Sequence, residues 1–343
     1  MKWRPPRPTD PVVIPPPSAL RGPSEGVLRV VAPVALTRVR GPWELGEVPP
    51  GAEPEAVRFA VVGRLWYMVS EAPQEERGFL ERLARDVEAS TWSFPLFPDA
   101  SLRLDRFLRS GDPSVTTVAT IVRDEPELVR RVWEAASGAA YGRRTVRTLD
   151  EAVVRLGLDA VWRVAMGACV HSPVFRIPAF LEQCNELRSL SPMIAAVADR
   201  LAPGGDAWLA GLLHDVGRLF VYRAAAGKAK VVADRSRIEA VAQRLAPGLG
   251  MLVTANWGLP AGVVQALAWL PDPQRAPFET RETAIALKAA VVAVYQVAGE
   301  RRGVDHGALE VLRRLPTRAF TPERALAEAE SVWNEAHPVR RAS

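Results

Sequence analysis

Apolar residues recur every three or four positions from about residue 91 onward, which is the spacing of amphipathic helices. In the stretch EPELVRRVWEAAS this spacing places Leu128, Val132 and Ala136 on one face, and Thr148 is positioned to cap a helix that continues to residue 170. Strand-like alternation is absent from this region. Further helices are predicted over residues 189–202, 206–225, 235–255, 260–269, 279–299, 307–315 and 322–336. The pattern predicts an all-α region of about ten helices.

Residues 1–90 follow a different pattern. Residues 1–25 are rich in proline, which prevents a continuous helix and favours an extended arm. Two stretches dense in valine and other apolar residues, 27–36 and 57–69, are predicted as strands separated by a turn-rich segment. A helix is predicted over residues 73–90, where Phe79, Leu83 and Val87 share a face.

The predicted fold class is therefore mainly α: a helical domain preceded by a proline-rich arm and a small β-containing unit. The expected boundaries are residues 1–25 for the arm, 26–90 for a small α+β unit, 91–297 for the helical domain and 298–343 for C-terminal helices. A chain of 343 residues is long enough for two domains.

Composition narrows the function classes. Apolar residues make up 48% of the chain and charged residues 24%, as in a folded protein. Only Cys169 and Cys184 occur, which is too few for a disulfide scaffold, and no secretory or membrane-spanning segment is recognised. We therefore expect a cytoplasmic protein without membrane insertion. The net charge of +5 is spread over a mixed surface, so nucleic-acid binding is a weaker alternative, which predicts an affinity that falls steeply with salt.

Several motifs in a fixed order resemble the HDOD family, the HD-related output domains of bacterial signalling proteins. The motifs lie at residues 94–108, 124–142, 148–166, 207–220 and 256–260, and include AAYG, LGLDAVW, GLLHDVGRLF and NWGLP. The resemblance covers roughly residues 92 to 297. It implies an all-helical domain that works in signal transduction.

The segment GLLHDVGRLF also carries a His-Asp dyad, His214 and Asp215, similar to that of the HD phosphohydrolases. On a continuous helix, Leu209, Leu213 and Val216 would share one face, and the dyad would lie opposite, toward a cleft or another helix. Two adjacent side chains do not suffice to hold a catalytic cation, because such a site needs several ligands in one pocket.

The partners that the resemblance to HD phosphohydrolases requires are absent at the matching positions. Ser189 or Leu190 stands where an upstream histidine is expected, Ala246 where a further one is, and Leu270 and Pro271 where a histidine pair is. The helix that should carry a terminal aspartate, AIALKAAVVAVYQVA, has no acidic residue.

Other carboxylates could approach the dyad from elsewhere in the chain. Asp199, Asp234 and Asp272 are candidates, although surface or capping positions are expected for them. The simpler interpretation has His214 donating to a backbone carbonyl and Asp215 pairing with an arginine, either Arg218 or one from the preceding helices.

These observations favour a non-catalytic signalling or scaffolding protein with a degenerate HD-type domain that acts through protein–protein contacts. No cofactor is expected, and the partner is a protein of unspecified identity, with self-association left open. The enzymatic alternative is a metal-dependent phosphohydrolase in which His214 and Asp215 bind metal together with ligands that do not align. A nucleic-acid-binding regulator is the second alternative.

Overall fold

The computed structural model describes residues 51–92, 97–111, 113–138, 146–171, 175–226, 234–301 and 306–337. Within these residues the regular structure is helical and contains no strand. The α-helices are α1 (Pro54–Glu71), α2 (Gln74–Glu88), α3 (Asp99–Arg109), α4 (Val115–Arg123), α5 (Pro126–Ala136), α6 (Leu149–Leu156), α7 (Leu158–Ala168), α8 (Leu181–Leu201), α9 (Asp206–Leu213), α10 (Val216–Ala226), α11 (Arg235–Asn256), α12 (Ala261–Ala268), α13 (Phe278–Glu300), α14 (Ala308–Arg313) and α15 (Pro322–Ala336). The mainly α fold class is confirmed.

Residues 57–69 form part of helix α1, so the strand predicted there is wrong. Pro54 starts the helix at a position where its missing N–H is harmless, and Val57, Val61 and Leu65 are buried on one side. Apolar residues also cover the outer side of α1, and this removed the period of 3.6 residues on which the prediction depended. The described part of the predicted α+β unit is therefore two helices, whereas residues 1–25 and the predicted strand 27–36 lie outside the described residues.

The chain divides into two compact units. The described residues of the first unit lie between 97 and 175, and its helices are α3 to α7. Trp162 is buried in this unit, and its indole Nε1 donates to Asp105 at 2.8 Å. The helix predicted over 148–170 is broken at Gly157, which has a φ of 79° that favours glycine and separates α6 from α7.

The described residues of the second unit lie between 51 and 92 and between 176 and 337, and its helices are α1, α2 and α8 to α15. Helix α13 is its central element, buried from Ala284 to Gly299 and packed against α8, α9, α12 and α15. This helix is long and apolar enough to cross a membrane, but most of its surface is buried inside the protein.

The N-terminal and C-terminal helices belong to this same unit, because α1 packs against α11 and α15 packs against α8 and α13. Arg200 of α8 binds Glu328 and Glu335 of α15 at 3.2 and 2.8 Å. The expected domain boundaries at residues 90 and 297 stay predictions.

Candidate functional site

The His-Asp dyad lies at a turn between two helices rather than within one. Helix α9 ends at Leu213 and α10 begins at Val216, so His214 and Asp215 form the junction. The single helix predicted over 206–225 is wrong at this point. The two halves pack against different neighbours, α9 against α8 and α10 against α11, and the break at the dyad lets each half follow its own neighbour.

Two glycines, each three residues from His214, bring the neighbouring backbones into contact. A Cβ atom on Gly211 would lie 2.7 Å from the Ala195 Cα of α8, and one on Gly217 would lie 2.0 Å from the Ala246 carbonyl oxygen of α11. Only glycine permits approaches this close. The junction is thus clamped on both sides, and His214 and Asp215 are buried, with 2% and 7% of their surfaces exposed.

His214 is oriented by its own helix. Its Nδ1 lies 3.0 Å from the carbonyl oxygen of Gly211, and because a carbonyl can only accept, Nδ1 carries the hydrogen and donates it. Its Nε2 faces the carboxylate of Asp215, 3.4 Å from Oδ2. The predicted bond from His214 to a backbone carbonyl is confirmed.

Arg218 is the cation that pairs with the carboxylates of the site. Its Nη1 donates to Asp215 Oδ2 at 2.6 Å, its Nη2 donates to Glu239 Oε1 of α11, and its Nε donates to the Tyr222 hydroxyl at 3.2 Å. Tyr222 in turn donates to the second oxygen of Glu239, and Gln243 donates to the first at 3.3 Å. A guanidinium with three satisfied nitrogens is therefore held between two carboxylates, with 1% of the Arg218 surface exposed.

The pKa shifts of these groups follow from burial and from this pairing. Burial by itself raises the pKa of Asp215, but the Arg218 guanidinium and the His214 imidazole reverse the effect and hold that pKa well below its ordinary value. Burial lowers the pKa of Arg218, and Asp215, Tyr222 and Glu239 more than offset it, so the pKa of Arg218 is raised. Burial raises the pKa of Tyr295 on α13, and the nearby Glu186 and Asp215 raise it further. Asp215 and Arg218 thus both stay charged across the physiological range.

The structure confirms the predicted pairing of Asp215 with Arg218. It also shows a second carboxylate bound to Arg218, that of Glu239, which the sequence pattern did not indicate. Glu239 shares a helix face with the buried Ala242 and Ala246, three and seven residues onward, and an acidic residue in such a register is the signal that could have indicated it. Of the carboxylates that were considered, Asp234 caps α11 by accepting from Arg237 N at 3.1 Å.

The donor set around the dyad does not fit a divalent cation. No group of three or more His, Cys, Asp or Glu side chains in the described ranges has the geometry of a metal site. The Asp215 oxygen that would face a metal already binds a guanidinium, and a second cation beside Arg218 would meet its positive charge.

The positions at which the resemblance places further metal ligands carry residues that pack inside the protein. Leu190 is buried in α8, and the backbone of Ala246 lies directly against Gly217. On α13, the polar side chains that point inward include Lys288, whose Nζ donates to the Pro271 carbonyl at 3.3 Å. These are a leucine, an alanine and a cation, none of which binds a metal ion.

Solved structures share this fold at low sequence identity. One is a candidate metal-dependent phosphohydrolase from Shewanella amazonensis, with a TM-score of 0.59 and 19% identity over 77% of this chain and 100% of the other. Another is an HDOD domain protein with unknown function from Geobacter sulfurreducens, with a TM-score of 0.56 and 21% identity over 74% and 95% of the two chains. No curated protein sequence matches.

The HDOD domain family matches residues 94–273, which is more than half of the chain. The matched segment contains His214, Asp215, Arg218 and Glu239, together with both glycines that clamp the dyad. The resemblance found in the ordered sequence motifs is thereby confirmed. The chain belongs to the HDOD domain family.

Proposed function

We propose that this protein is a non-catalytic signalling module that acts through contacts with other proteins. The observation that carries the proposal is the ion pair between Asp215 and Arg218. One oxygen of the dyad's carboxylate is bound at 2.6 Å by a buried guanidinium, so a divalent cation at the dyad would lie beside a fixed positive charge.

Access to the dyad supports the same conclusion. Metal-assisted hydrolysis requires that the nucleophile and the scissile phosphate meet at the metal, so the site has to admit a substrate. Here His214 and Asp215 lie beneath helices whose backbones touch at Gly211 and Gly217. A phosphate group could reach the dyad only if α9 or α10 moved away from its neighbour.

The family provides the setting for the proposal. The resemblance to HDOD proteins implies a role in bacterial signal transduction. The domain has a fold similar to that of a candidate phosphohydrolase, but an arginine pairs with the aspartate of its dyad. Such a domain is suited to binding a partner rather than to hydrolysing a substrate. The site then serves as the packing centre of the second unit, and the outer surfaces of its helices are available for partners.

The test measures metal content and hydrolysis on the same preparation. The full chain is expressed in medium supplemented with manganese, zinc and iron, its metal content is determined by mass spectrometry, and hydrolysis of bis(p-nitrophenyl) phosphate is followed with added Mn²⁺. His214→Ala removes the dyad imidazole, and Glu330→Gln, at an exposed position of α15, is the matched control.

We expect far less than one metal ion per chain in all three proteins and no hydrolysis above background. One tightly bound metal ion per chain in the wild type and in Glu330→Gln, lost together with hydrolysis in His214→Ala, would contradict the proposal and establish the phosphohydrolase alternative.

A further inference from the structure

Arg223 is a half-buried arginine without a polar partner among the described residues. It lies in the last turn of α10, its Nη1 is buried, and the described ranges contain no hydrogen bond or ion pair to its guanidinium. Other half-buried arginines, such as Arg131, Arg200 and Arg244, each bind a carboxylate. A buried charged nitrogen without an acceptor is unfavourable, and departures of this kind from polar pairing are expected at functional sites.

The surroundings of Arg223 are rich in hydrogen-bond donors and positive charge. It lies near the fully buried thiol of Cys184 on α8. Burial raises the pKa of this thiol, and the backbone N–H of Ile177 opposes the effect by donating to the sulfur. The guanidinium groups of Arg188, Arg218 and Arg223 oppose it as well, because each lies close enough to stabilise a thiolate. The same donors and cations would stabilise another anion at this place.

Only part of this positive charge is compensated by the network around the dyad. Arg218 is bound by Asp215 and Glu239. Arg188 lies one helical turn after the cysteine, on the same side of α8, and adds a second cation to that of Arg223.

The carboxylates of α8 near Cys184 lie on the other side of that helix. Glu182 and Glu186 are each two residues from the cysteine, which turns them by about 200° around the helix axis. Burial raises the pKa of Tyr295 on α13 and Glu186 raises it further, so Glu186 lies close to α13. Both carboxylates therefore lie away from the thiol.

The start of α8 and the end of α10 are held together by stacked rings. Phe180 directly precedes α8, Tyr222 directly precedes Arg223, and the centroids of their rings are 4.7 Å apart. The donors described above therefore belong to one place in the fold.

We propose that Arg223, together with Arg188, binds the phosphate group of a small ligand beside Cys184, where the start of α8 meets the end of α10. A guanidinium presents parallel N–H donors that match the oxygens of a phosphate. A phosphate dianion also balances two positive charges, whereas a carboxylate balances one.

Thermal unfolding of the full chain in increasing sodium phosphate, at an ionic strength held constant with sodium chloride, tests the site. We expect a saturable rise in the melting temperature of the wild type, because a ligand that binds the folded chain stabilises it. Arg223→Gln should weaken the affinity for phosphate at least about tenfold, and Arg223→Lys should weaken it less, since lysine keeps the charge but not the paired donors.

Arg313→Gln is the matched control, because Arg313 is an exposed arginine at the end of α14. It should respond to phosphate as the wild type does. Phosphate also stabilises proteins in general through its exclusion from their surfaces, and that effect appears equally in all four proteins, so the difference between wild type and variant measures binding.

Stability without phosphate separates a binding role from a packing role. We expect Arg223→Gln to be at least as stable as the wild type in phosphate-free buffer, because the substitution removes a cation that has no partner. A clear loss of stability there would show that Arg223 serves the fold, and it would overturn the proposal. So would a phosphate response that is equal in the wild type and in Arg223→Gln.

Adenosine monophosphate and O-phosphoserine, titrated in the same way, identify the source of the phosphate group. Binding tighter than that of inorganic phosphate assigns the site to a larger phosphorylated molecule, and binding that is no tighter assigns it to the free anion; either result supports the site. Metal content and hydrolysis are not measured in this test. Its failure therefore leaves the proposed non-catalytic role standing, and the reverse also holds.

Discussion

Arg218 is the residue on which the charge balance of the buried site depends. Replacing it by methionine keeps much of the side-chain volume but leaves Asp215 and Glu239 buried without their cation. We expect Arg218→Met to lower the free energy of unfolding by about 3 to 5 kcal/mol, the usual cost of removing one partner of a buried pair. Urea denaturation followed by circular dichroism measures this change.

The matched control for this prediction is Arg130→Met. Arg130 also bridges two carboxylates, those of Glu127 and Glu134, but it lies on the surface of α5 with half of its side chain exposed. Solvent screening limits its expected effect to less than about 1 kcal/mol. Equal effects of the two substitutions would mean that the buried network contributes no more than a surface pair.

Lys288 makes the stability of the protein depend on alkaline pH. Burial lowers the pKa of this lysine to about 8, and the nearby Asp272 only partly opposes that effect. Because the folded pKa is below the unfolded one, the unfolded chain binds more protons above pH 8, and the contribution of Lys288 to stability rises by about 2 kcal/mol from pH 7.5 to 9.5. Cys169 and Cys184 oppose this rise, because burial raises the pKa of both thiols and over the same range they lose their protons only in the unfolded chain. We therefore expect the free energy of unfolding of the wild type, measured relative to that of Lys288→Met, to increase by about 2 kcal/mol from pH 7.5 to 9.5.

Two substitutions of Lys288 separate this cause from others. Lys288→Met removes the titrating lysine, so its free energy of unfolding should fall more steeply with pH than that of the wild type. Lys288→Arg keeps a charge that cannot be released, so it should show the same slope as Lys288→Met and be less stable than the wild type at pH 9.5. Urea denaturation at several pH values gives the comparison, and equal slopes in the wild type and in Lys288→Met would show that Lys288 does not contribute to the pH dependence.

At the scale of elements, the contact between α10 and α11 is made by backbone atoms at Gly217. A methyl group there would meet the Ala246 carbonyl at 2.0 Å, and neither helix backbone can move without disturbing the Arg218 network. We expect Gly217→Ala to lower the free energy of unfolding by about 3 kcal/mol or more, as overpacking of a rigid contact does. Thermal and urea denaturation measure the loss.

Gly167→Ala provides a control of opposite sign. Gly167 lies within α7, and an added methyl group contacts nothing within 4 Å. Alanine favours the helix over glycine, so this substitution should stabilise the protein by about 0.5 to 1 kcal/mol. If both glycine substitutions had the same sign, close packing would not explain Gly217.

Helix α1 shows how an element can be mistaken at the sequence level. Val57, Val61 and Leu65 face inward, and Phe59, Trp66 and Tyr67 lie on the outward side, so apolar residues occur all round the helix. Such a segment has the local composition of a buried strand. The helix is favoured over a strand because its inner face packs on α2 and α11. Helix α11 lies well over a hundred residues away in the chain.

At the scale of the whole molecule, the folding unit is larger than the family match. The match ends at residue 273, before α13, yet α13 is buried along most of its length and packs against α8 and α9. A fragment of residues 94–273 would therefore expose the apolar faces that α1, α13 and α15 cover. We expect it to show helical far-ultraviolet circular dichroism without cooperative unfolding.

The fragment 51–337 is the control, because it keeps every described helix. It should retain near-ultraviolet circular dichroism and a melting temperature close to that of the full chain. A sharp thermal transition in the 94–273 fragment at the same temperature would show that the additional helices are dispensable for folding.

The sequence by itself determined the features that depend on neighbours in the chain. These are the helical character of the chain from residue 97 onward, the bond from His214 to a carbonyl one turn back, and the pairing of Asp215 with Arg218 three residues on. All three follow from spacings of three or four residues, which a single helical turn or the adjoining turn satisfies. The family followed from the resemblance of several motifs in a fixed order, whereas the breaks at Gly157 and at the dyad did not appear in the sequence pattern.

Only the tertiary structure decided the features that need segments far apart in the chain to meet. Glu239 reaches Arg218 because α10 and α11 touch at Gly217, and the dyad is closed because α8 and α11 press on either side of it. Whether the outer side of α1 is buried or exposed likewise depends on what covers it. A periodic pattern shows that a face is apolar, but the contact that buries the face, or leaves it open, exists only after distant helices have packed.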